Sequence, residues 1–347
     1  MKKTAHKNSW KTVESRRKVK QKTKLAIVII GLILLTFVLG KSIQLFKVFF
    51  QPSSITRAYT WDGSTNINLV FKSDQVAVLS FNPEQNTLTI VKIPEETYIY
   101  VPGGYGSWPL RSVYNLGQSE ELPKGAELLI SSLRSFLGIP FDGYLEIAAE
   151  PEDFVNRLKN PLAIIEIWGN MKTNLTPSEF LRLCLSLKGV RFDKVKSFDL
   201  ASLNLLQEST LGDGQKVFIA DNIKIDAFSN KLSEDKMGSE RISVAIFNTT
   251  EVPGLAQKAA RMVLNMGGNS IISTNAPGNF EKTQIIVNSG SEGILKTYTY
   301  KRLSQVFGAI SPKDGSDCSK DPKCDKIPSE VIESRAQINI ILGQDSY

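Results

Sequence analysis

The pattern of apolar and polar positions changes character several times along the chain. Residues Leu25 to Gly40 read LAIVIIGLILLTFVLG without a charge, and after Lys41 the run continues as SIQLF up to Phe46. As a helix these 22 residues would span about 33 Å, enough for a bilayer core, and they are apolar all round rather than along one stripe. A signal peptide needs a small-residue cleavage site, whereas here bulky Phe37 lies three places before Gly40 and a lysine follows. The run therefore predicts an uncleaved signal-anchor, a single transmembrane helix over 25–46. Beyond a short juxtamembrane stretch the period becomes two. INLVFKSDQVAVLSF and, past the turn NPEQN, TLTIVKIP read as strands, with the segments flanking the turn forming a hairpin.

Helical spacing follows in KGAELLISSLRSFLG, where Leu128, Leu129, Leu133, Phe136 and Leu137 share a face and Gly138 stops the element. Before it, EETYIYVPGGYGSWPLRSVYNLG is rich in glycine, proline and aromatics and is expected to form an ordered loop over a site. DGYLEIA reads as a strand and PEDFVNRLKN as a helix begun by proline. In TNLTPSEFLRLCLSLKG, Thr176 can cap a helix, Pro177 suits its first position, Glu179 completes a capping box and Gly189 closes it. VKSFDLA and a hairpin across Gly212 to Gly214 end this unit, predicting a domain over 56–225. FSNKLSEDKMGSE lacks a long apolar face, which marks a linker at 226–240. From Arg241 strands and helices alternate as ISVAIFN, LAQKAARMVLNMG, NSIISTN, QIIVNS, GILKTYTYKRLSQVFG and INIILG, the pattern of a small α/β sandwich over 241–347. The fold class is α/β throughout the part that follows the anchor.

Charge sharpens this outline. The chain of 347 residues has 42 Lys+Arg, 35 Asp+Glu and a net charge of +7. Residues 1–24 hold ten basic side chains against Glu14, a net +9, so the other 323 residues carry the difference, a net −2. The basic character is thus a tail property, and nucleic acid is excluded as a partner of the body. Positive charge before an apolar span places residues 1–24 in the cytoplasm and 47–347 outside, with the bilayer as first partner. The sole histidine, His6, lies in the tail, which removes histidine triads, histidine-ligated zinc and histidine bases from the body. No G-x-G-x-x-G follows a strand, which excludes a dinucleotide fingerprint. In an extracytoplasmic setting Cys318 and Cys324 of SDCSKDPKCDK are expected to form a disulfide. The aspartates of that loop lack calcium-loop spacing, so no metal site is expected there, and Cys184 is expected to be a buried free thiol.

Two stretches resemble a known family. SDQVAVLSFNPEQNTLTIVKIPEETYIYVPGGYG, followed by LGIPFDGYLEI, is similar to the LytR-CpsA-Psr family of membrane-anchored envelope proteins. VAIFNTTEVPGLAQKAARMVLNMGGNSI and the final INIILGQD are similar to the LytR C-terminal domain. The resemblance implies transfer of a polyprenyl-pyrophosphate-linked glycopolymer to peptidoglycan, with arginines on the pyrophosphate and aspartates on magnesium. Guanidinium forks and a hard cation suit that chemistry.

Departures from the pattern change what is expected. The family's Arg-Ser-Asp-Thr is Lys72-Ser73-Asp74-Gln75, replacing a fork by a point charge. Its Ile-Pro-Arg-Asp-Thr is Ile93-Pro94-Glu95-Glu96-Thr97, and its Lys-Ile-Asn-Ala-Ala-Tyr is Pro109-Leu110-Arg111-Ser112-Val113-Tyr114. The interval after DGYLEI, where the family keeps its Arg- and Asp-rich run, offers only Arg157. Lys72, Asp74 and Arg111 remain as candidate phosphate- or lipid-binding residues, with Tyr105 and Trp108 as candidate groove walls. The expected function is a non-catalytic envelope protein that binds polyprenyl-linked glycan or cell wall. The alternatives are an active transferase using Lys72, Asp74 and Arg111, with magnesium as its cofactor, and a protein-binding envelope scaffold.

Overall fold

The computed structural model describes Arg57, residues 59–119, 124–288, 292–308 and 327–346, and near the N-terminus Lys24, residues 29–33 and Thr36. The chain divides into two compact units, Met1–Pro52 and Ser53–Tyr347. In the first, the described residues are helical, and Thr36 Oγ1 donates to the Ile33 carbonyl at 2.8 Å. Among the described residues no helix is long and apolar enough to cross a membrane. Most of the predicted anchor at 25–46 and nearly all of the basic tail lie outside the described residues, as do Cys318, Cys324 and their expected disulfide.

The second unit is mixed α/β. β1 (Ile67–Lys72), β2 (Val76–Asn82) and β3 (Thr87–Ile93) form an antiparallel meander. The run INLVFKSDQVAVLSF is thus two strands, because the polar Ser73–Gln75 segment folds back with the Ser73 amide on the Gln75 carbonyl at 2.9 Å. The segment expected to be a loop is regular instead: β4 (Thr97–Val101) pairs with β5 (Gly106–Pro109), and α1 (Leu110–Gln118) follows. Thr97, Ile99 and Val101 turn inward, while Gly103, Gly104 and Gly106, all at positive φ, form the hairpin turn. The glycines that read as a loop are therefore confined to the bend. α2 (Gly125–Leu137) crosses α1 closely, since a methyl on Gly117 would lie 2.9 Å from the Gly125 Cα.

Next come β6 (Gly143–Glu146), α3 (Pro151–Arg157), α4 (Pro161–Asn170), the short β7 (Lys172–Thr173) and α5 (Pro177–Lys188). The capping box forms on α5: Thr176 Oγ1 accepts from the Glu179 amide and a Glu179 carboxylate oxygen accepts from the Thr176 amide. Cys184 on this helix is buried and free, and burial pushes its thiol up to about 12. β8 (Val195–Asp199), β9 (Leu206–Thr210) and β10 (Lys216–Ala220) complete two sheets, ordered β7-β6-β1-β2-β3-β8 and β5-β4-β10-β9. β6 runs parallel to β1 and β8 parallel to β3, so these four strands share one carboxyl edge. Val70, Val78 and Val91 pack on one face beneath Leu110, Val113 and Leu133 of α1 and α2. On the other face Phe71 meets Phe154 of α3 at 5.3 Å between ring centroids.

The expected linker is folded. α6 (Asn222–Ser229), α7 (Asp235–Glu240) and the 3-10 turn between them bury Phe228, Met237 and Leu232, apolar positions too irregularly spaced to show a helical period. β11 (Ser243–Asn248), α8 (Leu255–Asn265), β12 (Asn269–Asn275), β13 (Gln284–Val287), α9 (Tyr298–Phe307), α10 (Ser329–Ile332) and β14 (Ile338–Leu342) build the C-terminal α/β module. Its sheet has the order β12-β11-β14-β13 with β13 antiparallel, and Ala256, Ala259 and Val263 of α8 cover Ile246 and Ile340.

Candidate functional site

The parallel strands end on a common edge, the place where open α/β sheets expose groups to a ligand. There β1 and β6 align Lys72 with Glu146, and β6 and β7 align Glu146 with Lys172. The Tyr114 hydroxyl of α1 donates to Glu146 at 2.7 Å. Lys72 Nζ lies 4.5 Å from the centre of the Tyr114 ring and 3.9 Å from the same carboxylate, and Lys172 Nζ approaches it to 3.5 Å. Burial, reinforced by the Glu146 hydrogen bond, pushes the Tyr114 phenol up to about 12. One carboxylate is thus clamped by a phenol and two ammonium groups, which leaves the amines neutralised in part rather than presented to an anion.

Arg111 lies one helical turn before Tyr114. Its amide donates to the Glu95 carbonyl at 3.0 Å, and its guanidinium pairs with Glu96 at 3.5 Å. Asp74 is exposed in the turn between β1 and β2, and Trp108 Nε1 donates to the Tyr105 carbonyl at 2.8 Å. Tyr105 packs against the core beneath α1 and α2, whereas Trp108 is exposed. Of the predicted site residues, Arg111 therefore lies on α1 and Lys72 against its Tyr114, each facing its own carboxylate. Lys92 faces the opposite side of the sheet, 3.0 Å from Glu152 and 3.6 Å from Glu150. Burial would raise the Glu152 carboxyl, but hydrogen bonds from Lys92 and Ser197 outweigh it and hold the group low. Among the described residues no group of three or more His, Cys, Asp or Glu side chains could hold a metal ion. The donor set at the edge does not fit magnesium, because Glu146 is engaged by three partners and Asp74 stands apart.

The most buried polar cluster joins the two modules and was not visible to motif reasoning. Arg302 of α9, fully buried, forms a fork on Asp142 at 2.9 and 3.1 Å and reaches Glu234 at 2.8 Å. Asp142 also accepts from the Asn68 amide at 2.7 Å and from the Tyr59 hydroxyl, while Tyr298 donates to Glu234 at 2.5 Å. Burial pushes the Glu234 carboxyl up against the opposing pull of Arg302, and the two carboxylates hold the guanidinium firmly protonated. A second contact lies on α8. Arg261 donates to the Ser135 and Phe136 carbonyls and to Asp226, and Asn265 donates to the Leu137 carbonyl, so a helix of one module caps α2 of the other. Gly138, at φ 61, admits this approach, since a methyl there would lie 2.6 Å from Asn265.

Comparison with known proteins agrees with this two-module plan. Residues 62–151 match the family model LytR_cpsA_psr, and residues 241–345 match LytR_C, described as LytR cell envelope-related transcriptional attenuator. The chain therefore carries one region similar to the LytR_cpsA_psr family and one similar to LytR_C. It is 28% identical over 79 residues to the polyisoprenyl-teichoic acid–peptidoglycan teichoic acid transferase TagU of Bacillus anthracis, covering 23% of this chain and 24% of that one. Against the protein of that name from Bacillus cereus it is 26% identical over 76 residues, covering 22% and 23%. The chain thus spans about a quarter of the length of the curated relatives it matches. Among solved structures, B. subtilis TagT gives a TM-score of 0.38 at 14% identity, covering 53% of this chain and 96% of that one. YwtF (TagT) with bound octaprenyl pyrophosphate lipid gives 0.36 at 15% identity, covering 52% and 95%.

Proposed function

We propose that this chain is a LytR-CpsA-Psr-like, single-pass extracytoplasmic envelope protein, anchored through residues 25–46, that binds a polyprenyl-linked glycan or cell-wall polymer without transferring it. The observation that carries this reading is the pairing at the sheet edge, Lys72 with Glu146 and Arg111 with Glu96, where the resemblance leads one to expect arginine forks open to a pyrophosphate. Removing a phosphoryl group's charge requires unpaired cations or a metal, and the edge supplies neither in the expected number. The match to LytR_cpsA_psr also stops at residue 151, before the interval where the resemblance implies an Arg- and Asp-rich run.

The test uses the full chain in nanodiscs with a polyprenyl-pyrophosphate-linked glycan, a peptidoglycan acceptor and magnesium. Binding without transfer is expected. Transfer that disappears in Asp74→Ala and Arg111→Ala would overturn the reading in favour of an active transferase. A reporter fused after Tyr347 is expected to work only outside the cytoplasm, and cytoplasmic activity would refute the anchor.

A further inference from the structure

Outside the sheet edge, one part of the surface is more apolar than solvent exposure warrants. α4 and α5 pack on each other through Trp168 and Phe180, whose ring centroids are 4.9 Å apart. Beside that contact each helix leaves aliphatic side chains uncovered: Leu162 and Ile165 on α4, 78% and 50% exposed, and Leu181 and Leu185 on α5, 52% and 64% exposed. Phe192, just beyond α5, is 90% exposed. Uncovered aliphatic side chains at helical spacing on two adjoining helices are the mark of a surface that meets an apolar phase.

Two observations identify that phase. The first is charge. Exposed Lys159 precedes α4 and exposed Lys188 ends α5, while the one acid on the two stripes, Glu166, is held by Arg157 at 3.1 Å. An apolar band with lysines at its ends suits an anionic lipid surface. The second is the course of the chain. Arg57 pairs with Glu179 in the first turn of α5 at 2.7 Å, and the Trp61 amide donates to the same carboxylate at 2.5 Å. Only residues 47–56 separate Arg57 from the end of the apolar run at Phe46, and ten residues reach at most about 35 Å.

We propose that the outer face of α4 and α5 rests on the outer surface of the bilayer that holds the anchor, its leucines entering the headgroup region and its lysines meeting anionic lipid. This rests on the anchor proposed above.

A fluorescent amino acid sensitive to its surroundings is placed in the full chain at Leu162, Leu185, Ile223 or Leu35, and each protein is reconstituted in phosphatidylcholine–phosphatidylglycerol vesicles with lipids spin-labelled at shallow or deep acyl positions. Shallow quenching at Leu162 and Leu185 is expected, with none at Ile223, which is 82% exposed on α6, and deep quenching at Leu35. In the double variant Leu181→Asp, Leu185→Asp the quenching at Leu162 is expected to fall at least fivefold while that at Leu35 stays. Emission at Leu162 and Leu185 as water-exposed as at Ile223 overturns the proposal. So does blue-shifted emission without quenching, which would mean that protein, such as a second copy of the chain, covers the face. Loss of quenching at Leu35 alone counts against the anchor and leaves the face to be judged from Leu162 and Leu185.

Discussion

Replacing Arg302 by methionine removes the one cation from the most deeply buried polar cluster of the described residues, at little change in side-chain volume. Asp142 loses both arms of its fork and Glu234 loses its 2.8 Å partner, although Asp142 keeps the Asn68 amide and the Tyr59 hydroxyl and Glu234 keeps Tyr298. Breaking a buried pair by removing one partner costs about 3–5 kcal/mol. At about 2 °C per kcal/mol for a body of this size, the midpoint of thermal unfolding should fall by roughly 6–10 °C. The loss should depend on pH with a definite sign. Burial already holds the Glu234 carboxyl above its unfolded pKa, and without the opposing guanidinium it rises further, so the folded state binds a proton there more readily. Stability is then retained below the unfolded carboxyl pKa and lost as pH rises through the folded one. The deficit of Arg302→Met should therefore be larger at pH 8 than at pH 5. Urea unfolding of parent and variant at both pH values measures it, and a deficit below about 1 kcal/mol at pH 8 would refute the view that this cluster is a stabilising joint between the modules.

Three further outcomes follow from the geometry. Arg261→Ala should cost about 2 kcal/mol in urea unfolding, because the Ser135 and Phe136 carbonyls lose a charged donor; an unchanged midpoint would count against the second contact. In an alkaline absorbance titration Tyr114→Phe should remove one tyrosine ionisation near 12. Since the raised pKa favours the neutral phenol in the folded state, its contribution is complete below the ordinary tyrosine range and is lost as pH rises through about 12. Glu146→Gln should free Lys72 and Lys172 and tighten binding of inorganic pyrophosphate by roughly five- to tenfold in calorimetry, whereas unchanged affinity would mean that the paired lysines do not set the charge of the edge.

Local chemistry accounts for the parts of the fold that could be read from residues alone. Thr176, Pro177, Glu179 and Gly189 define both ends of α5 by themselves, and the alternation in β2, β3 and β11 needs no partner to be recognised. β4 and β5 were hidden because their glycines and prolines outweigh an alternation of only five residues in β4. α4 escaped because PLAIIEIWGN is apolar on both its buried and its exposed sides, so no period stands out. At the sheet edge, Lys72 and Arg111 were marked by their place in a motif. That they pair with Glu146 and Glu96 was not, since register between β1 and β6 decides the first pairing and the turn before β4 the second. Asp142, Glu234 and Arg302 had no local signal at all, each being an ordinary charged residue until the fold brings three distant segments together.

That joint also constrains how the protein is made. Asp142 and Arg302 are 160 residues apart in sequence, and at ordinary rates of synthesis, about 5–20 residues per second, roughly 8–30 s pass between their emergence. Throughout that interval the N-terminal module holds a carboxylate shaped for burial with no guanidinium to receive it, and until residues 261–265 emerge the α2 carbonyls that Arg261 and Asn265 cap have no donor from the second module. The nascent module therefore has to wait in an incomplete form, with its sheet assembled and the seat for α9 still wet. Premature stop codons upstream of residue 302 should accordingly yield an N-terminal module that aggregates or is degraded rather than a smaller working protein.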